Sequence, residues 1–151
     1  MMDAVRFTLL GQAFSKANQR RFVNFGDRLV SVKSKKALAF ERDALRQIPS
    51  YARQRLMGPV CVTLRLHYAS ERPDLDESLV LDVLQDRYHG TGEGRCLVQA
   101  GVYRNDRQVR EKHVYHAIDR LNPRCEIEVV PMQAQQDELE LEVDDAEALP
   151  F

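Results

Sequence analysis

The sequence predicts a single α+β domain, a mixed β-sheet of about four to five strands carrying two main helices and followed by a disordered acidic tail. Three observations point there. Apolar residues alternate with polar ones at Val5, Phe7 and Leu9, again at Val60, Val62, Leu64, Leu66 and Tyr68, and again at Cys125, Ile127 and Val129; this period of two marks half-buried strands. Two stretches, one after Ser34 and one from about Asp76, instead carry apolar residues at helical spacing. Residues 137–151 hold seven acids and no base, a composition that cannot bury enough apolar surface to order itself. The domain is therefore expected over residues 1–131 and the tail over 132–151.

At 151 residues, with 44% hydrophobic and 30% charged side chains, the chain has the make-up of an ordinary soluble domain. Such a length buries roughly two-thirds of the unfolded surface. No apolar run approaches the ~20 residues that span a bilayer, and the start lacks a signal peptide's apolar core. The three cysteines, Cys61, Cys96 and Cys125, are odd in number and widely spaced, which fits a reducing, cytoplasmic setting.

The net charge of −1 conceals an asymmetry. Without the seven tail acids, 22 basic residues face 16 acidic ones, a balance of +6. Seven of the bases lie within residues 16–36 (Lys16, Arg20, Arg21, Arg28, Lys33, Lys35 and Lys36) against one acid, Asp27. Phe22, Val23 and Phe25 are interleaved, and Gly26-Asp27 is a turn signal, so a small basic hairpin is expected. Such a surface is either a solvated face or a tracker of phosphates.

Ser34 is placed to cap a helix running to Ile48, with Pro49 helping to stop it. Leu38 and Leu45 form one apolar row of this helix, and Ala37, Ala44 and Ile48 an adjoining one; Lys35, Lys36, Arg42 and Arg46 give it a basic outer side. Met57-Gly58-Pro59 introduces the strand over residues 60–68. Leu75, Leu79 and Val83, flanked by Val80 and Leu84, supply the second helix's buried stripe, with Asp82 and Asp86 on its solvated side. Gly90, Gly92 and Gly94 lack the lysine of a nucleotide-binding loop and read as a flexible surface loop. Another strand is expected from Gln108 to Ile118. Within it His113 and His116 are three apart and so face opposite ways, with no cysteine beside them, which argues against zinc.

The chemistry concentrates where the second alternating run hands over to the second helix, at Arg72-Pro73-Asp74-Leu75-Asp76-Glu77, and at Asn105-Asp106-Arg107. Asp74 and Asp76 are two apart and point the same way on extended backbone. Converging carboxylates, with Asp106 as a third, call for a hard cation such as magnesium. Alternatively, Asp74 caps the helix while Asp76 and Glu77 favour its positive end.

Arg72-Pro73-Asp74-Leu75-Asp76 before an apolar helix, followed by Ala100-Gly101-Val102-Tyr103-Arg104-Asn105-Asp106-Arg107-Gln108-Val109, resembles the RusA family of Holliday junction resolvases. In that family an Asp-Leu-Asp motif precedes a helix, and a later glycine-containing motif with an Asp-Asp pair supplies another acid. Ser15-Lys16-Ala17-Asn18-Gln19-Arg20-Arg21 is similar to the family's Ser/Asn/basic segment, and the match runs in order over residues 5–130.

The resemblance implies a RusA-like fold and catalytic, metal-binding roles for Asp74, Asp76 and Asp106. Mg2+ (or Mn2+) would be the cofactor, a four-way DNA junction the substrate and a homodimer the working unit. It also implies DNA contacts from Lys16, Asn18, Arg20, Arg21, Lys33, Lys35 and Lys36, with Arg72, Arg104, Arg107 and Lys112 nearer the acids. Asn105 replaces the first acid of the family's pair. The family's helix lysine, one turn after the second aspartate, is Val80 here, so Lys112, Arg72 or an arginine beside Asp106 must substitute for it. His116 stands where the family has a recurring basic residue. Two other functions stay open: a RusA-fold protein that binds branched DNA without cutting it, and an interaction protein whose acidic tail engages a basic partner.

Overall fold

The computed structural model describes residues 4–14 and 20–132. Lys16, Asn18 and the acidic tail after Met132 lie outside the described residues, as do the side chains of Arg20, Arg21 and Lys33.

The alternating runs form the central sheet. β1 (Val5–Leu10), β4 (Val60–Tyr68), β7 (Val109–Ile118) and β8 (Arg124–Pro131) lie in the order β1-β8-β4-β7. β8 runs antiparallel to both β1 and β4, whereas β4 and β7 are parallel, so the sheet is mixed. One face is apolar. Val5 and Leu9 of β1, all five alternate residues of β4, and Cys125, Ile127 and Val129 of β8 are buried together. Each fully buried Leu or Val there contributes about 1.5–3 kcal/mol relative to exposure.

Two helices, α1 (Lys35–Gln47) and α2 (Ser78–Leu84), join that core. This is the α+β architecture the sequence predicts. No described helix is long and apolar enough to cross a membrane.

The basic stretch forms the expected hairpin. β2 (Arg20–Phe25) and β3 (Arg28–Lys33) pair antiparallel around Gly26-Asp27. Gly26 sits at φ +63°, where a side chain is disfavoured. The Ser34 side chain then accepts the Ala37 N–H at 3.2 Å and starts α1. Ser34→Ala is expected to cost about 1 kcal/mol, read as a lower denaturant midpoint at unchanged slope.

Three expectations need correction. Leu38 is exposed and Leu45 only partly buried; the adjoining row Ala37, Ala44 and Ile48 is buried as expected, joined by Phe40. The small alanines let the helix approach the core closely, and Glu41 on its flank is buried against Arg87. Leu75 is half-exposed, because α2 starts only at Ser78 and residue 75 precedes its buried face. Asp86 is fully buried, since the helix has already ended at Leu84. The glycine loop is exposed, as expected of a surface loop, and lies between two short paired strands, β5 (Arg87–His89) and β6 (Cys96–Gln99).

Candidate functional site

β4 ends at Tyr68, whose buried hydroxyl turns the acidic segment back over the strand end. It donates to the Asp74 carbonyl (3.3 Å) and accepts the Asp76 N–H (3.4 Å). Burial pushes the Tyr68 phenol up; the Asp76 N–H opposes this, while the Asp76 and Glu77 charges add to it. The hydroxyl therefore keeps its proton and remains a donor. Asp76 Oδ1 accepts both the Ser78 N–H (2.9 Å) and the Ser78 hydroxyl (2.7 Å). Asp76 thus satisfies a first-turn N–H of α2.

The second acidic segment is held from the other side. Gln108 accepts the Arg104 and Asn105 N–H groups, and its amide donates to the carbonyls of Leu56 and Gly58. Asn105, where the RusA-like pattern has an acid, accepts the Arg107 N–H at 2.9 Å and caps the 3-10 turn Asp106–Gln108. The Asp106 N–H is bound by the side chain of Gln85, one residue beyond α2, at 3.1 Å.

Upstream, Gly101 packs so closely on this end of α2 that an added Cβ would lie 2.4 Å from the Gln85 carbonyl carbon. Val102 donates to the Leu84 carbonyl, and the buried Tyr103 donates to that of Leu81. Burial, with the Asp106 and Asp82 charges, drives the Tyr103 phenol far up. Asp82, read from sequence as merely solvated, therefore shares Tyr103's surroundings with Asp106.

Both acidic segments are thus anchored on one short helix, Asp74 and Asp76 before its start and Asp106 at its end. Seven helical residues separate them, a rise of roughly 10 Å. Between them, on β7, Lys112 pairs with Glu77 at 2.5 Å and also lines an open groove of 220 Å³ with Asp106, Leu81, Val109, Arg110 and Glu111. A register shift sets this up: Val60 pairs with Val109 and Cys61 with Glu111, leaving Arg110 as an extra residue. That bulge puts Lys112 opposite Val62, on the helix side of the sheet.

The donor chemistry fits a hard cation, but the spacing is wider than one ion requires. Asp74, Asp76 and Asp106 do not form a group with ligand atoms within 4.8 Å of one another; among the described residues Cys61, Glu111 and His113 do. In the sequence α2, β5 and β6 lie between that cysteine and His113, so the parallel pairing of β4 and β7 was needed to see it. His116 points the other way, as expected, and stacks on Tyr68 with ring centroids 5.0 Å apart.

Of the other predicted DNA contacts, Lys35, Lys36, Arg72, Arg104, Arg107 and Lys112 are all exposed. Lys35 and Lys36 occupy the first turn of α1, which carries no acid; cations there are disfavoured by the helix dipole, whereas a bound anion is favoured. Val80 is fully buried in the core, so that position is closed to a phosphate. Arg110, which joins Lys112 along the groove, was not singled out in the sequence because an arginine on a strand carries no signal of its own. No protein-family model and no curated protein sequence matches the chain.

Proposed function

We propose that the protein is a magnesium-dependent, structure-selective DNA endonuclease of the RusA type, nicking four-way junctions as a homodimer. The observation that carries this is the anchoring of both acidic segments on α2 with Lys112 and Arg110 between them. Asp74, Asp76 and Asp106 would hold Mg2+, or Mn2+ in its place; when bound, the ion supplies Lewis-acid stabilisation and a more acidic water.

The chain's own residues do the positioning. Lys112 is the substitute for the missing helix lysine, since it lines the groove with Asp106 whereas Val80 is buried. Arg72, Arg104, Arg107, Lys35 and Lys36 are exposed and suited to backbone phosphates, contacts that orient DNA without reading its sequence. Cutting then requires Asp106, on an exposed 3-10 turn, to close toward the start of α2 when DNA and metal are present.

The burial of Val80 and the open spacing of the acids favour a second function, capture of branched DNA without cutting. One assay separates the two. A labelled four-way junction is incubated with the protein in low salt, with and without Mg2+. Symmetric nicks that depend on Mg2+ are the expected result. Tight, salt-sensitive binding with no nicks selects the second function, and absence of binding at low salt defeats both. Lys112→Met is expected to lower the salt dependence of log affinity by about 1 and to slow nicking by about tenfold.

A further inference from the structure

On the sheet face opposite α2, the bulge at Arg110 has a second effect. It places Glu111 opposite Cys61, and the next outward position on β7 is His113, opposite Thr63. Side chains two apart on a strand share a face, so a thiol, a carboxylate and an imidazole converge there. Without the extra residue, Arg110 would face Cys61 and Glu111 would turn toward the core.

The ligand atoms of Cys61, Glu111 and His113 all lie within 4.8 Å of one another, and Glu111 Oε1 is 2.8 Å from His113 Nε2. We propose that these three side chains form a transition-metal site of the zinc class, completed by a water at the fourth position and clamping the edge strand β7 to β4.

The donor set makes the choice of metal. A thiolate beside an imidazole selects zinc or cobalt and disfavours magnesium, so this site is chemically distinct from the acids on α2. The size fits as well. Metal–nitrogen and metal–oxygen bonds near 2.0–2.1 Å and a metal–sulfur bond near 2.3 Å, set tetrahedrally, put ligand atoms roughly 3.3–3.6 Å apart. The three groups reach that with shifts of about 1 Å, within the freedom of exposed Glu111 and His113 side chains.

Binding carries a proton balance. A cysteine thiol carries its proton in neutral solution. Forming the metal–sulfur bond then expels that proton to solvent, one for each ion bound.

The test uses the full-length chain stripped of metal and titrated with Co2+ alone. Expected are one equivalent bound, a near-ultraviolet thiolate-to-cobalt charge-transfer band, release of one proton, and displacement by Zn2+. Cys61→Ser should abolish the band, whereas Cys96→Ser, at the exposed thiol, should leave it intact. His113→Ala and Glu111→Gln change exposed side chains and should keep native circular dichroism while weakening Co2+ at least about tenfold. Zn2+ should raise the thermal midpoint of the parent but not of His113→Ala. A titration without the band, a band that survives Cys61→Ser, or Co2+ affinity indifferent to His113→Ala overturns the proposal. None of these readouts uses DNA, so the result is independent of the endonuclease function.

Discussion

Asp76→Asn is expected to slow Mg2+-dependent junction cutting by about 10³-fold, equivalent to ~4 kcal/mol of transition-state stabilisation, while leaving junction binding intact. The asparagine keeps the oxygen that accepts the Ser78 N–H and hydroxyl, so α2 still starts in the same place. Asn and Asp are near-equal in such positions, and stability should move by less than about 1 kcal/mol. Asp76→Ala makes the useful contrast, losing both cutting and the local turn. Cutting measured at single turnover and unfolding in urea separate the two contributions. An Asp76→Asn protein that cuts within a few-fold of the parent would mean that this acid only begins a helix.

Asp86→Ala is expected to give the largest loss of stability, about 2–4 kcal/mol. The Asp86 side chain is fully buried. One oxygen accepts the Gly101 N–H at 2.8 Å; the other receives Arg55 at 2.9–3.0 Å and the Tyr88 hydroxyl at 3.3 Å. Burial by itself would raise this carboxyl, but the Arg55 and Gly101 hydrogen bonds and the Arg55 charge outweigh it and hold it below the usual range.

A depressed carboxylate stabilises the fold at pH above its unfolded value, near 3.9. That contribution disappears as pH falls through the lower folded value, because the unfolded chain then binds the extra proton. Asp86→Asn should therefore flatten the acid side of the stability curve without abolishing it, since Arg124 likewise holds Asp119 low. Urea midpoints measured across pH 2–6 for parent and variant read this out directly. An unchanged acid limb would show that Asp86 is not a source of the pH dependence.

Regular periodicity was what made the fold legible. Val60 to Tyr68 alternate without a break, and Ser34 stands one residue before its helix, so strand and cap could be placed from local chemistry alone. Long-range partners were not legible. Nothing local says that Asp86 meets Arg55 and Gly101, so an acid four residues after Asp82 reads as solvated. Likewise Cys61 and His113 share a face only because a bulge of one residue sets the register of two strands far apart in sequence. The acidic segments were visible as a motif, and their attachment to α2 follows the expected order. Their separation along that helix depends on side-chain anchors, Gln85 and Ser78, that carry no pattern of their own.

The placing of β1 has a consequence for how the chain reaches its native state. Among the described residues its only neighbour in the central sheet is β8, and Val5 pairs with Val129. β1 must therefore wait for the last strand of the sheet before its backbone is satisfied. Such distant pairing slows assembly relative to helical domains of equal length. Meanwhile Val5, Phe7 and Leu9 remain available for wrong associations. Truncation anywhere before β8 is then expected to yield an insoluble fragment, not a smaller working domain.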